Sequence, residues 1–501
     1  MELLDQVGHG FLVAITVQNI IYCLIGALIG TLIGVLPGIG PVATIAMLLP
    51  LTFHLPPVSA LIMLAGIYYG AQYGGSTTAV LVNLPGEASS VVTCLDGHQM
   101  ARQGKAGTAL SIAAVGSLFA GTVGTLLIVL FAPALTRMAL QFGPTEYCAL
   151  MALGLVAAVV LARGSVAKAI AMVFLGLLIG LVGTDVNSGE QRFTFGIFEL
   201  ADGIDFVPIA MGLFGVAEII VNLERRMSRE VAAARITSLW PSKEDIRRAI
   251  GPVLRGTTLG ALLGVLPGGG PTLAAFSAYT LEKKLSKTPE KFGTGMIEGV
   301  AAPEAANNAG AQTSFIPMLT LGIPSNAVMA LMVGAMIIQG IQPGPEVMTK
   351  NPDLFWGLIA SMWIGNLMLV VINLPMIGLW VKLLSIPYRL LYPAILLFCC
   401  IGAYSLANST FHVLLLGLSG VLGYVFIKLG CEGAPFLLGM VLGPQLEEFF
   451  RRAMQLSRGD PMVFLQRPLS LALLLLTAFL LLLVILPAIR KARVTTFAEE
   501  G

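Results

Sequence analysis

The chain has 501 residues, 56% of them hydrophobic and only 11% charged, with a formal net charge of +2. A mean hydropathy of +0.88 lies outside the range of a soluble globule. The near-neutral charge leaves no electrostatic footprint for nucleic acid, and the apolar excess implies a lipid bilayer as the surrounding solvent.

The first ten residues, MELLDQVGHG, hold acids but no basic residue ahead of the apolar run. That argues against a cleaved signal peptide, so the first helix is expected to stay in the membrane. Residues 6–86 contain no Lys, Arg, Asp or Glu, and neither do 106–136, 354–381, 390–427 and 468–489. Each stretch is long enough for at least one helix of about 20 residues through a bilayer. An all-α polytopic membrane protein follows. Six cysteines (Cys23, Cys94, Cys148, Cys399, Cys400, Cys431) show no metal-binding spacing and read as small apolar residues.

Within the first uncharged stretch, Gly26–Pro41 reads GALIGTLIGVLPGIGP, and Gly256–Pro271 repeats it as GTTLGALLGVLPGGGP at an offset of 230. In both copies glycines recur every fourth residue (Gly26, Gly30, Gly34 and Gly256, Gly260, Gly264), a small-residue face for close helix packing in lipid. The Pro-Gly-x-Gly-Pro that follows cannot continue a helix, because proline lacks the N–H and clashes with the preceding turn. Pro41 and Pro271 suit the first position of a new helix. Each break thus offers a helix N-terminus with free N–H groups and about half a positive charge at membrane depth. Gly38, Gly40, Gly268, Gly269 and Gly270 are the candidate substrate contacts there.

A polar island follows each break. The first runs through Gln72, Gly75, Ser76, Thr77 and Thr78 to Asn83 and Glu87; the second runs from Pro303-Glu304 through Asn307, Asn308, Gln312 and Ser314 to Thr320 and Asn326. Such groups can hold carboxylate oxygens or, through their own oxygens, a cation. The plainer reading is helix–helix hydrogen bonding, but clustering beside glycine and proline once in each half favours a site. Gly75, Ser76, Thr77, Thr78, Asn307, Asn308 and Ser314 join the substrate candidates; Asn83, Thr320, Asn326 and Glu304 are the ion candidates. Pro303 is expected to open a helix, with Glu304 in its first turn suiting the dipole.

Further pairings extend the repeat. Val207–Met227 answers Ala434–Met454, and Leu84-Pro85 answers Ile323-Pro324. One half spans 1–223 and the other 251–454, joined by a basic segment at 224–250 that the positive-inside rule makes cytoplasmic. Residues 455–501 hold a C-terminal transmembrane helix and tail. Two repeats of inverted topology are expected, with their broken helices or hairpins meeting at the membrane midplane, as in secondary carriers. The uncharged stretches supply helix ends and neutral donors but no buried Lys or Arg, which suits an organic anion. Two helix ends give about one unit of positive charge, too little for a di- or tricarboxylate, so a co-transported Na+ or H+ is expected. No cofactor or structural metal is indicated.

GVLPGIGP with GVLPGGGP, GVAAPEAANNAG (Gly299–Gly310) and LTLGIPSN (Leu319–Asn326) resemble the large membrane subunit of the tripartite tricarboxylate transporters, the TctA family, over about residues 15–455. The chain departs from the family pattern at Gln312-Thr313 and Ser325, where glycines are common. The resemblance implies a multi-pass protein of the bacterial inner membrane that imports citrate-like acids on an ion gradient. A periplasmic carboxylate-binding protein and a small membrane subunit are its implied partners, and a transport domain would move against a scaffold. A passive channel or scaffold gains nothing from duplicated broken helices. An intramembrane metalloprotease would need His-Glu-x-x-His, and no histidine here is followed by Glu.

Overall fold

A computed structural model describes residues 2–36, 40–162, 165–185, 188–224, 239–266, 270–383 and 388–485. Among the described residues the regular structure is helical, apart from a two-residue ladder pairing Gly183–Thr184 with Gln191–Arg192. Among the described residues five helices are long and apolar enough to cross a membrane: Val17–Val35, Ala106–Ala139, Phe206–Glu224, Pro352–Asn373 and Thr410–Lys428.

In the first half, α1 (Glu2–Ala14) leads into α2 (Val17–Val35), then α3 (Gly40–Thr52), α4 (Pro57–Val82), α5 (Val91–Arg102) and α6 (Ala106–Ala139). Helices α7 (Pro144–Leu161), α8 (Val166–Gly180) and α9 (Phe206–Glu224) complete it. The second half runs through α10 (Lys243–Val265), α11 (Gly270–Leu285), α12 (Glu298–Thr313), α13 (Phe315–Leu321), α14 (Ala327–Ile338) and α15 (Pro352–Asn373). It closes with α16 (Tyr388–Ala407), α17 (Thr410–Lys428) and α18 (Gly433–Leu456), before a last helix, α19 (Pro468–Ile485).

The glycine faces do what their spacing predicts. A Cβ on Gly26, Gly30 or Gly34 would fall 2.2–2.4 Å from the carbonyl oxygens of Met63, Ile67 and Ala71. The same holds for Gly256, Gly260 and Gly264 against Ala302, Ala306 and Gly310, at 2.2–2.3 Å. Only glycine permits backbones this close. The contact register also gives direction. Partner numbers rise together in both sets, so α2 lies parallel to α4, and α10 lies parallel to α12. Ser59 on α4 donates to Asn19 on α2 at 2.6 Å, so both helices begin at one level. The intervening α3 must therefore return, and α2–α3 is a helical hairpin rather than one kinked helix. Arg255 on α10 pairs with Glu282 on α11 through Nε and Nη2 at 2.6 and 2.8 Å, closing the second hairpin likewise.

Both hairpins resume helix one residue before the proline, at Gly40 (φ +58°) and Gly270 (φ +68°), conformations open to glycine without strain. Helix α4 is buried without interruption from Ser59 to Leu81, and α12 from Gly299 to Thr313. These polar-bearing helices form the centre, sheathed by the apolar spans. They run antiparallel: Ser76 meets Glu304, whereas Tyr68, two turns earlier, meets Phe315 beyond the end of α12. The two hairpins therefore point in opposite directions. Helices of the two halves interleave, with α6 against α12, α8 against α18 and α17 against α9.

Candidate functional site

Glu304 sits at the crossing of α4 and α12. Its expected place in a first helical turn is corrected by the structure: α12 begins at Glu298 and carries Pro303 internally, so Glu304 is mid-helix. Local sequence favoured proline at a helix start, but α4, α5 and α6 pack around this stretch and hold the helix through it. The carboxylate accepts hydrogen bonds from the Ser76 hydroxyl on α4 and the Thr93 hydroxyl on α5. Asn308 Nδ2 donates to Ser117 Oγ at 2.7 Å, Asn307 Oδ1 at 2.6 Å and the Glu304 carbonyl at 3.1 Å, tying α6 into the same cluster.

Other described buried acids are compensated differently. Glu282 meets Arg255 at 2.6 Å, Asp185 meets Arg451 at 3.0 Å, and Glu146 lies 3.7 Å from Arg467. Asp96 accepts from the backbone N–H groups of Gly293, Gly295 and Met296 and from the Tyr279 hydroxyl, at 2.7–2.9 Å. Glu304, among the described residues, has hydroxyl partners and no cation within ion-pair distance. A cavity of about 10 Å³ lies beside it, lined in part by Tyr73, Ser76, Thr77, Ser117 and Asn373. That is room for one water-sized guest and not for a tricarboxylate.

A second polar group lies where the α10–α11 hairpin meets the end of α12. Asn326 caps α14 by accepting from the Met329 N–H at 3.0 Å, and donates to Ser314 Oγ at 3.2 Å and Tyr68 Oη at 3.3 Å. A Cβ added to Gly270 would stand 3.3 Å from the Asn326 side chain, so the hairpin backbone lies against it. Ser314 also donates to the carbonyls of Gly310 and Gly264. On the opposite hairpin, Thr78 donates to the last α2 carbonyl, Val35, at 2.9 Å, and Gly75 abuts Glu87 and Ser90. Tyr68 and Gly75, which mark the two hairpin ends on α4, are about 10 Å apart along its axis.

The structure thus brings Ser76, Glu304, Asn307 and Asn308 into one cluster, and Gly270, Ser314 and Asn326 into another. Thr77 and Thr320 spend their hydroxyls on carbonyls of their own helices, Tyr73 and Ile316. Asn83 is exposed and ends α4 in the left-handed conformation, as Gly322 ends α13. Gly40 begins α3 with open space around it. Gly38, Gly268 and Gly269 lie outside the described residues, as does the basic run Arg225–Arg235. Sequence reasoning missed Thr93, Ser117 and Asn373, and it placed Tyr73 within the first polar island without giving it a role. Ser117 and Asn373 are each a lone polar residue in an apolar run, with nothing local to set them apart. Asp96 carried a signal, as the single acid in α5, four residues after an apolar pair at Val91-Val92.

Buried polar helices sheathed by apolar spans, with a hairpin packed on each, define a multi-pass membrane protein with the build of a transporter. The chain belongs to the tripartite tricarboxylate transporter TctA family, which residues 20–438 match. This is a family of transport subunits rather than enzymes, and membership implies a three-part system with a binding protein and a small membrane subunit. The chain is 60% identical over 500 residues, all of both chains, to an uncharacterized 52.8 kDa protein in the TAR-I ttuC' 3' region of Agrobacterium vitis. It is also 62% identical over 241 residues, 48% of this chain and all of the relative, to an uncharacterized protein in the TAR-II ttuC' 3' region of the same organism. No solved structure matches it.

Proposed function

We propose that this chain is the membrane-embedded large subunit of a secondary carrier that imports an organic di- or tricarboxylate, such as citrate, handed over by a periplasmic binding protein. The observation that carries the reading is a pair of oppositely directed helical hairpins, each packed on a buried polar helix, with Glu304 where those helices cross. Inverted repeats over 1–223 and 251–454 account for this: the same hairpin motif, inserted from opposite faces, produces antiparallel α4 and α12. The 224–250 segment then serves as a cytoplasmic linker, and α19 stands outside the repeat.

The anion binds between the hairpin ends, where Gly40, Gly75, Gly270 and Ser314 line the approach and helix N-termini supply N–H donors. Asn307 and Asn308 serve it from the α12 side. Glu304 takes the coupling ion, Na+ or H+, since a carboxylate without a countercharge is costly at membrane depth. Moving one charge through 100 mV is worth about 2.3 kcal/mol, enough to drive accumulation of a net-positive loaded state. The bacterial inner membrane is the compartment this requires.

The test is uptake of labelled citrate and other organic acids into proteoliposomes holding the large and small subunits, with the binding protein outside. Accumulation that collapses when both gradients are dissipated is expected. Uptake indifferent to Na+ and proton gradients would remove the coupling, and failure with every acid the binding protein captures would remove the carrier.

A further inference from the structure

We infer that the cavity beside Glu304 is a sodium site whose cage is completed by Tyr73 and Asn373. The inference rests on the carrier reading and goes beyond it by naming the ion and two further ligands. The cavity lies between α4, α6, α12 and the last residue of α15, and every polar side chain on its wall presents oxygen: Tyr73, Ser76, Thr77, Ser117, Glu304 and Asn373. Hard monovalent cations take carboxylate, carbonyl and hydroxyl oxygens. A single carboxylate matches a single positive charge, so the filled cavity is neutral.

Two of these oxygens lack any partner among the described residues. Tyr73 Oη and Asn373 Oδ1 are buried without a hydrogen bond. The Asn373 amide nitrogen is already committed, donating to Leu369 O at 2.9 Å and to Thr31 Oγ1 at 3.3 Å, which leaves the carbonyl oxygen as its free atom. Buried polar atoms without partners are costly, and a cation in the cavity would satisfy both. A proton on Glu304 could satisfy one acceptor at most, whereas a cation in the cavity meets both Tyr73 Oη and Asn373 Oδ1, beside the Ser76 and Thr93 hydroxyls that already hydrogen-bond the carboxylate. The Thr31 contact runs to α2, so the cage is linked to the first hairpin, whose position would then depend on the ion.

The test uses the full chain in detergent, with Na+ alone as ligand, exchanged for K+ or choline at constant ionic strength while thermal unfolding is followed. Na+ should raise the unfolding midpoint of the native protein saturably and K+ should not. Tyr73→Phe is the critical variant, because the hydroxyl it removes bonds nothing in the fold. Its midpoint without Na+ should be unchanged or higher, while half-saturation shifts to about tenfold more Na+, the loss of one ligand. Asn373→Leu should shift it likewise, and Glu304→Gln should abolish the response. Equal stabilisation by Na+ and K+, or unchanged half-saturation in Tyr73→Phe, would overturn the assignment. Gradient-driven uptake that needs only protons would also overturn it, yet would leave the carrier standing; Na+ stabilisation with no uptake of any acid would do the reverse.

Discussion

Gly260→Ala tests the packing on which the site depends. The new methyl would stand 2.2 Å from the Ala306 carbonyl oxygen and 2.7 Å from its Cα, both backbone atoms that cannot swing aside. Ordinary carbon contacts need about 3.5 Å, so α10 and α12 must part by about 1 Å. Overpacking of this kind costs about 1–3 kcal/mol. Since α12 carries Glu304, Asn307 and Asn308, the displacement also reaches their bonds to α4, α5 and α6. Gly417→Ala is the internal control, since Gly417 lies on the exposed face of α17 with nothing within 4 Å of the added methyl. Thermal unfolding in detergent should show a lowered midpoint for Gly260→Ala and an unchanged or raised one for Gly417→Ala. Citrate uptake should fall only in the first. Equal midpoints for the two variants would refute the close-packing argument.

Ser76→Ala and Asn308→Ala should abolish proteoliposome uptake with membrane expression near the native amount; full uptake by both would move the site elsewhere. The Asn308 change leaves Ser117 Oγ and Asn307 Oδ1 without their donor, a cost of about 1–3 kcal/mol visible as a lowered unfolding midpoint. Asp96→Asn replaces the charged acceptor of three backbone N–H groups, and should cost about 2 kcal/mol and speed proteolysis within 286–297, measured by limited digestion. Arg451 bridges Asp185 at 3.0 Å and Glu447 at 2.5 Å in a partly exposed network, so Arg451→Ala should cost about 1 kcal/mol. That loss should shrink in high salt, and an equal loss at low and high ionic strength would contradict an electrostatic origin.

Much of this fold was written locally. Charge-free runs set where helices cross, because each charge is expensive in lipid, and the proline and glycine breaks set where helices stop. The four-residue glycine spacing announced close packing, and Gly26, Gly30, Gly34 and their counterparts all make it. The new helices start at Gly40 and Gly270, one residue ahead of the expected Pro41 and Pro271. None of that fixed which way the hairpins point. A proline break is compatible with a kink or a reversal, and the parallel register of α2 on α4 arises only when Ala71 and Met63 supply the partners. Glu304 shows the same division. Its sequence neighbours suggested a helix start, whereas its environment comes from Ser76 and Thr93, 228 and 211 positions away. Asn373 has no local mark, and the polar island around Tyr73 does not single out its hydroxyl, since a missing hydrogen bond is defined by everything that packs around a group. Sequence determined the spans, the breaks and the faces. The orientation of the hairpins and the atoms left over to bind an ion were decided by tertiary packing, because such partners are chosen in space and not along the chain.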